Sequence, residues 1–158
     1  MKPSPLASLL RGLVYLTALM PLVIFSQYIS PFHFGKVVVF RSIVEVMLVL
    51  YVALVWRDRS YLPRLSPVFW AFSAFTLAFS VTTLTSFLPY PSFWGSLERM
   101  GGLWTFWHYF IYFVILTSVM RTPEHWRRLF DVMLTASILS ALYGFLQRTD
   151  TSLVIGAG

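Results

Sequence analysis

Apolar residues in this chain come in long runs, separated by short joints that are polar, basic or rich in proline. Five runs stand out, at about residues 9–29, 37–56, 68–88, 103–120 and 129–147. Each holds about 18–22 residues, enough to cross a ~30 Å hydrocarbon core at 1.5 Å per residue. In lipid every backbone N–H and C=O must be bonded within its own segment, so the runs predict helices. A β-barrel would need alternating segments of about 10 residues, and the runs do not alternate. Helix starts fit this division. Ser66-Pro67 and Thr122-Pro123-Glu124 each set a capping side chain before a proline at the first helical position. The last helix is expected to begin at Pro123 along the interface and then enter the membrane. Pro21 predicts a kink in the first run. That run is longer than a signal-peptide core of about 7–15 residues and has no small-x-small cleavage site behind it, which favours a retained helix.

Composition strengthens the membrane reading. Hydrophobic residues make up 58% of the 158 positions and charged residues only 11%. An ordinary soluble domain is about 45–50% apolar and about 25% charged. The expected fold is all-α: a polytopic transmembrane bundle of about five membrane-spanning helices, residues 1–158 forming a single membrane domain that contacts membrane lipid. The net charge of +6 is spread between apolar segments rather than gathered on one soluble face, so nucleic acid is not an expected partner. There is no cysteine, which excludes disulfides, thiolate metal sites and a cysteine nucleophile.

The basic residues also predict orientation. Arg57, Arg59 and Arg64 follow the second run, and Arg121, Arg127 and Arg128 follow the fourth. With Lys2 and Arg11 they fall on one side if the helices alternate. The other side has only Lys36, Arg99 and Arg148, with Arg41 just inside a helix end. The positive-inside rule then makes the amino terminus cytoplasmic.

Few residues can carry chemistry. Arg41 and Glu45 are four apart and share one helix face. A charge at the depth of Glu45 costs about 2.5–3.5 kcal/mol on insertion scales. One reading is an internal Arg41–Glu45 pair, or a protonated Glu45, locking helices together. The other has Lys36 and Arg41 facing an anionic ligand at the outer surface, with Glu45 orienting Arg41. In the outer loop, Arg99 is either a solvated charge or a second cation beside Lys36 for a pyrophosphate, with Glu98 as its orienting neighbour. Gly101 and Gly102 would let backbone approach a bound group closely. Tyr90, Phe93, Trp94, Trp104 and Trp107 read as interfacial anchors. His108 is read as a packed, hydrogen-bonded side chain before a base. No metal-ligand spacing, P-loop, GxSxG or paired-carboxylate motif occurs, so neither metal nor cofactor is expected. Ala136, Ser140 and Gly144, with Ser137 and Ala141 alongside, form a small-residue stripe suited to close helix packing.

The order of these features resembles the amino-terminal part of the O-antigen ligase family, which includes O-antigen polymerases and oligosaccharide transferases. The resemblance rests on "PFHFGKVVVFRSIVE", the arginine loop after it, the outer loop "SFWGSLERMGG" with its aromatic helix, and "RTPEHWRRLFDVMLTASILSALYGFLQ". It implies a protein of the bacterial cytoplasmic membrane. Such an enzyme moves a glycan from an undecaprenyl-pyrophosphate carrier to an acceptor at the outer face. Arg99 takes the place of the family's outer-loop arginine after the third helix. The family's catalytic arginines and histidine belong to a large later loop, so no catalytic residue is assigned here. The end, "LVIGAG", completes no element, and the chain is expected to be the amino-terminal fragment of a longer polytopic protein. Two alternatives stand beside this: a small non-enzymatic membrane scaffold or partner-binding protein, and a transporter fragment. The latter is weakened because Glu45 is the one polar residue at depth and Pro21 the one clear helix break.

Overall fold

The computed structural model describes residues 4–23, 34–96 and 99–149. Six α-helices follow one another among these residues: α1 (Pro5–Ala18), α2 (Phe34–Arg57), α3 (Pro67–Leu84), α4 (Pro89–Trp94), α5 (Leu103–Val119) and α6 (Pro123–Thr149). Short 3₁₀ turns follow α1 at Met20–Leu22 and α2 at Arg59–Tyr61. The described residues contain no strand.

Proline and hydroxyl groups set the helix starts as the sequence predicts. Ser66 accepts the Phe69 N–H at 3.2 Å and Pro67 opens α3. Thr122 accepts the His125 N–H at 3.4 Å and Pro123 opens α6. At each site the hydroxyl satisfies an otherwise orphaned donor, and the proline has no N–H to lose.

The first helix departs from expectation. Rather than running through Pro21 with a kink, α1 stops at Ala18 and tightens into the 3₁₀ turn. Pro21 offers no N–H to Thr17 four residues back, and its ring crowds that carbonyl. The remainder of the expected first span falls mainly in residues 24–33, outside the described residues. Three helices, α2, α3 and α6, are long and apolar enough to cross a membrane. The shorter α1 and α5 are apolar; the 17 residues of α5 rise about 26 Å. Helix α3 ends at Leu84, short of the expected residue 88, and the short α4 occupies part of what reads in sequence as the outer loop.

Helices α1, α2 and α5 build the core. Ala7, Leu10 and Val14 of α1 meet Met47, Tyr51 and Leu54 of α2 and Ile115 and Val119 of α5, with Leu129 of α6 closing one side. Helix α3 packs on α5 through phenylalanines: Phe72 lies 5.5 Å from Phe110 and 5.3 Å from Phe113, and Phe79 lies 4.7 Å from Phe106. Most of the large side chains of α3 and α6 face outward and are apolar. That is the arrangement of helices solvated by lipid, where packing rather than water exclusion joins them.

The basic loops meet at one end of the bundle. Arg121 donates to the Ser60 carbonyl and lies over the Tyr61 ring at 4.0 Å. Asp58 accepts the Ser60 N–H at 2.9 Å, and Tyr51 donates to the Tyr61 carbonyl at 2.9 Å. The Tyr15 hydroxyl donates to the His125 carbonyl at 3.5 Å, so the stretch of α1 after Arg11 joins the same end. Lys36, Arg41 and Arg99 lie toward the other end.

Candidate ligand-facing site

At the Lys36 end, two backbone strips lie against each other. Gly95 has φ +82°, and a Cβ there would overlap the backbone nitrogens of Gly101 and Gly102. A Cβ on Gly102 would overlap the Phe93 carbonyl. The glycines thus admit backbone to backbone, fastening α4 to the start of α5. Met100 turns between them with φ 47°, a left-handed conformation uncommon outside glycine.

Arg41 holds this turn to α2. Its guanidinium donates to the Met100 carbonyl at 3.0 Å and to the Thr105 hydroxyl, which in turn donates to the Met100 carbonyl. The residue is 7% exposed, and its Nε is buried without a partner among the described residues. Arg41 therefore faces α5, where it is engaged with protein oxygens.

Glu45 turns to His108 rather than to Arg41. Its Oε1 lies 3.3 Å from His108 Nε2, and His108 Nδ1 lies 2.7 Å from the Trp104 carbonyl. His108 is 3% exposed with its ring against Trp104, whereas the Glu45 side chain is 60% exposed. Thr105 and His108 are the partners that the sequence did not supply. They are three apart on α5 and match the four-residue spacing of Arg41 and Glu45 on the parallel α2. That spacing was the available signal, but nothing local tells one helix which other helix it meets.

Lys36 lies elsewhere. It is five residues before Arg41, about 140° around the helix. Its Nζ donates to the Pro21 carbonyl at 3.1 Å, at the mouth of a cavity of about 370 Å³ bordered by Ser140, Tyr143, Gly144 and Gln147 of α6. A second cavity of about 340 Å³ also touches Pro21 and extends past Thr17, Phe40 and Tyr112 to Leu129 and Met133. Both cavities border Pro21 and lie along α6, the one apolar toward Leu129 and the other polar at Lys36; together they are termed the α6 groove. Part of the small-residue stripe lines it: among the described residues the Ser140 hydroxyl is buried without a partner, and Gly144 faces open space.

Arg99 is exposed, its N–H bonded to the Ser96 hydroxyl at 3.2 Å. Glu98 lies outside the described residues. Lys36 and Arg41 are thus directed to different neighbours, and Lys36 opens onto a cavity. No three acidic, histidine or cysteine side chains gather as a metal site among the described residues.

No protein-family model, curated protein or solved structure matches this chain. The described residues define an all-helical bundle of membrane-protein type, with a basic loop cluster at one end and a lysine-mouthed groove at the other.

Proposed function

We propose that this chain is the amino-terminal membrane portion of an O-antigen ligase-like glycosyltransferase. It serves transfer of a glycan from an undecaprenyl-pyrophosphate carrier to an acceptor at the outer face of the bacterial cytoplasmic membrane. The observation that carries the reading is the groove along α6 with Lys36 at its mouth. The stretch from Leu129 to Gln147 rises about 27 Å, comparable with the hydrocarbon thickness. A polyisoprenoid tail suits its apolar part. A pyrophosphate suits Lys36, where a charge-assisted hydrogen bond forms at the polar mouth. Pyrophosphate is the leaving group of the transfer, and a fixed cation stabilises the charge that develops on it. Arg99, exposed on the same end, adds a second cation. Arg41 serves by holding the turn after Arg99, and the Glu45 carboxylate contacts His108. In this reading the chain crosses the membrane five times with a cytoplasmic amino terminus, the arginine loops inside and Lys36 outside.

The test is glycan transfer by the whole protein in cells lacking their own copy. Lys36→Met is expected to lower transfer at least tenfold at unchanged membrane abundance, with Lys36→Arg retaining most of it. Normal transfer by an abundant Lys36→Met protein ends the assignment of the groove. A protein that supports no glycan transfer in any form favours the scaffold reading.

A further inference from the structure

The contact between Glu45 and His108 has a chemical requirement that its geometry alone defines. A carbonyl oxygen only accepts, so the 2.7 Å bond to the Trp104 carbonyl puts a proton on His108 Nδ1. A neutral imidazole protonated there presents a bare lone pair at Nε2. An ionised carboxylate also presents only lone pairs. Set 3.3 Å apart, those two forms repel; the contact is a hydrogen bond only with a proton between Nε2 and Oε1. The proton belongs either to an imidazolium facing a carboxylate or to a carboxylic acid facing a neutral ring. In both cases the pair holds one proton more than a separate carboxylate and neutral histidine, and its net charge is zero.

We propose that Glu45 and His108 form a proton-binding site on the flank of the bundle, independent of the glycan-transfer reading. Two features set its polarity. His108 is almost wholly buried, wedged against Trp104, and its other nitrogen is fixed by the helix backbone. Glu45 is the outward end, with Oε2 unengaged among the described residues. Glu45 is therefore the exposed end of the pair and His108 the buried end. Among the described residues no other charged side chain hydrogen-bonds or ion-pairs with either member. On α2 the nearest charge is Arg41, whose guanidinium is engaged with Met100 and Thr105. On α5 the neighbouring titratable side chains are Tyr109 and Tyr112, the latter bonded to Thr17; α4 carries Tyr90, α3 carries none, and on α1 Arg11 and Tyr15 lie toward the opposite end. The depth of Glu45 along an apolar helix of mean hydropathy 2.3 favours the pair's zero net charge over a lone carboxylate.

The test uses the whole protein in lipid nanodiscs with ¹⁵N-labelled histidine. His33→Gln and His125→Gln assign the three imidazoles. Near neutral pH the wild type is expected to show His108 protonated at Nδ1, together with either a protonated Nε2 or a protonated-carboxyl infrared band that Glu45→Gln removes. Glu45→Gln is expected to remove the shared proton, read at the same pH as loss of the protonated Nε2 signal or of the carboxyl band. A wild type with a neutral ring and an ionised Glu45 near neutral pH overturns the proposal without reference to any variant. So do a His108 ¹⁵N spectrum and a carboxyl band that Glu45→Gln leaves unchanged.

Discussion

At the scale of single residues, the stretch from Phe93 to Gly102 shows how a correct emphasis yields a different role. Its glycines are legible in sequence as places where something approaches closely. What approaches is the chain itself, because Gly95 and the Gly101-Gly102 step lie in one tight backbone contact. The three glycines are therefore unequal. Gly102→Ala drives a Cβ into the Phe93 carbonyl, which belongs to a helix and cannot yield as a flexible side chain would. It is expected to destabilise by about 1–3 kcal/mol. Gly101→Ala meets open space and is expected to stay within about 0.5 kcal/mol of wild type. Thermal unfolding of both variants in one detergent decides the matter, and equal midpoints would remove the clamp. Arg41 and Glu45 teach a related lesson. Their shared face was legible from the four-residue spacing, but their partners lie about sixty residues away on α5. A single sequence gives the spacing on each helix and no information on which helices adjoin.

At the scale of elements, legibility follows the strength of the local signal. The starts of α3 and α6 are set by a hydroxyl followed by proline, a stereochemical device that acts within four residues, and both were readable. The end of α1 was harder. Proline is compatible with a kink when neighbours satisfy the freed carbonyl, and with termination when they do not. Here the chain leaves the helix, and Lys36 takes up the Pro21 carbonyl. The α3–α5 interface was not readable, because both helices are apolar around most of their circumference and offer no preferred face. The phenylalanines supply one. Phe72 touches both Phe110 and Phe113, and edge-on ring pairs contribute about 0.5–1.5 kcal/mol each beyond area burial. Phe72→Ala is expected to cost about 1–3 kcal/mol, while Phe87→Ala, at a side chain 104% exposed, is expected to be nearly neutral. Unfolding of the two variants in the same lipid or detergent measures the difference. If Phe72→Ala is as mild as Phe87→Ala, α3 is held by its connections rather than by its rings.

At the scale of the whole molecule, the two ends of the bundle differ in charge in the manner the sequence predicts. The arginine loops after α2 and α5 converge through Arg121, Ser60 and Tyr61, and the opposite end carries the groove and Lys36. This separation was legible because it depends only on which joints are basic and on alternation of the helices. The groove was not, since it needs α1, α2 and α6 brought together from distant parts of the chain. Orientation is where these arguments meet, and the absence of cysteine makes it measurable with single reporters. Leu65→Cys sits in the joint before α3, beside the arginine loop; Ser96→Cys sits beyond α4, at the Lys36 end. Both positions are exposed. In intact cells a membrane-impermeant maleimide is expected to label Ser96→Cys at once and Leu65→Cys only after permeabilisation. The reverse pattern would place Lys36 and its groove on the cytoplasmic side and remove the outer-face transferase reading. Labelling of both from one side would show that α3, the one span between them, does not cross, despite its length and apolarity. The expected pattern would leave a lysine-mouthed groove opening toward the face where a translocated lipid-linked glycan is presented, which is the geometric condition that the Lys36→Met experiment then tests chemically.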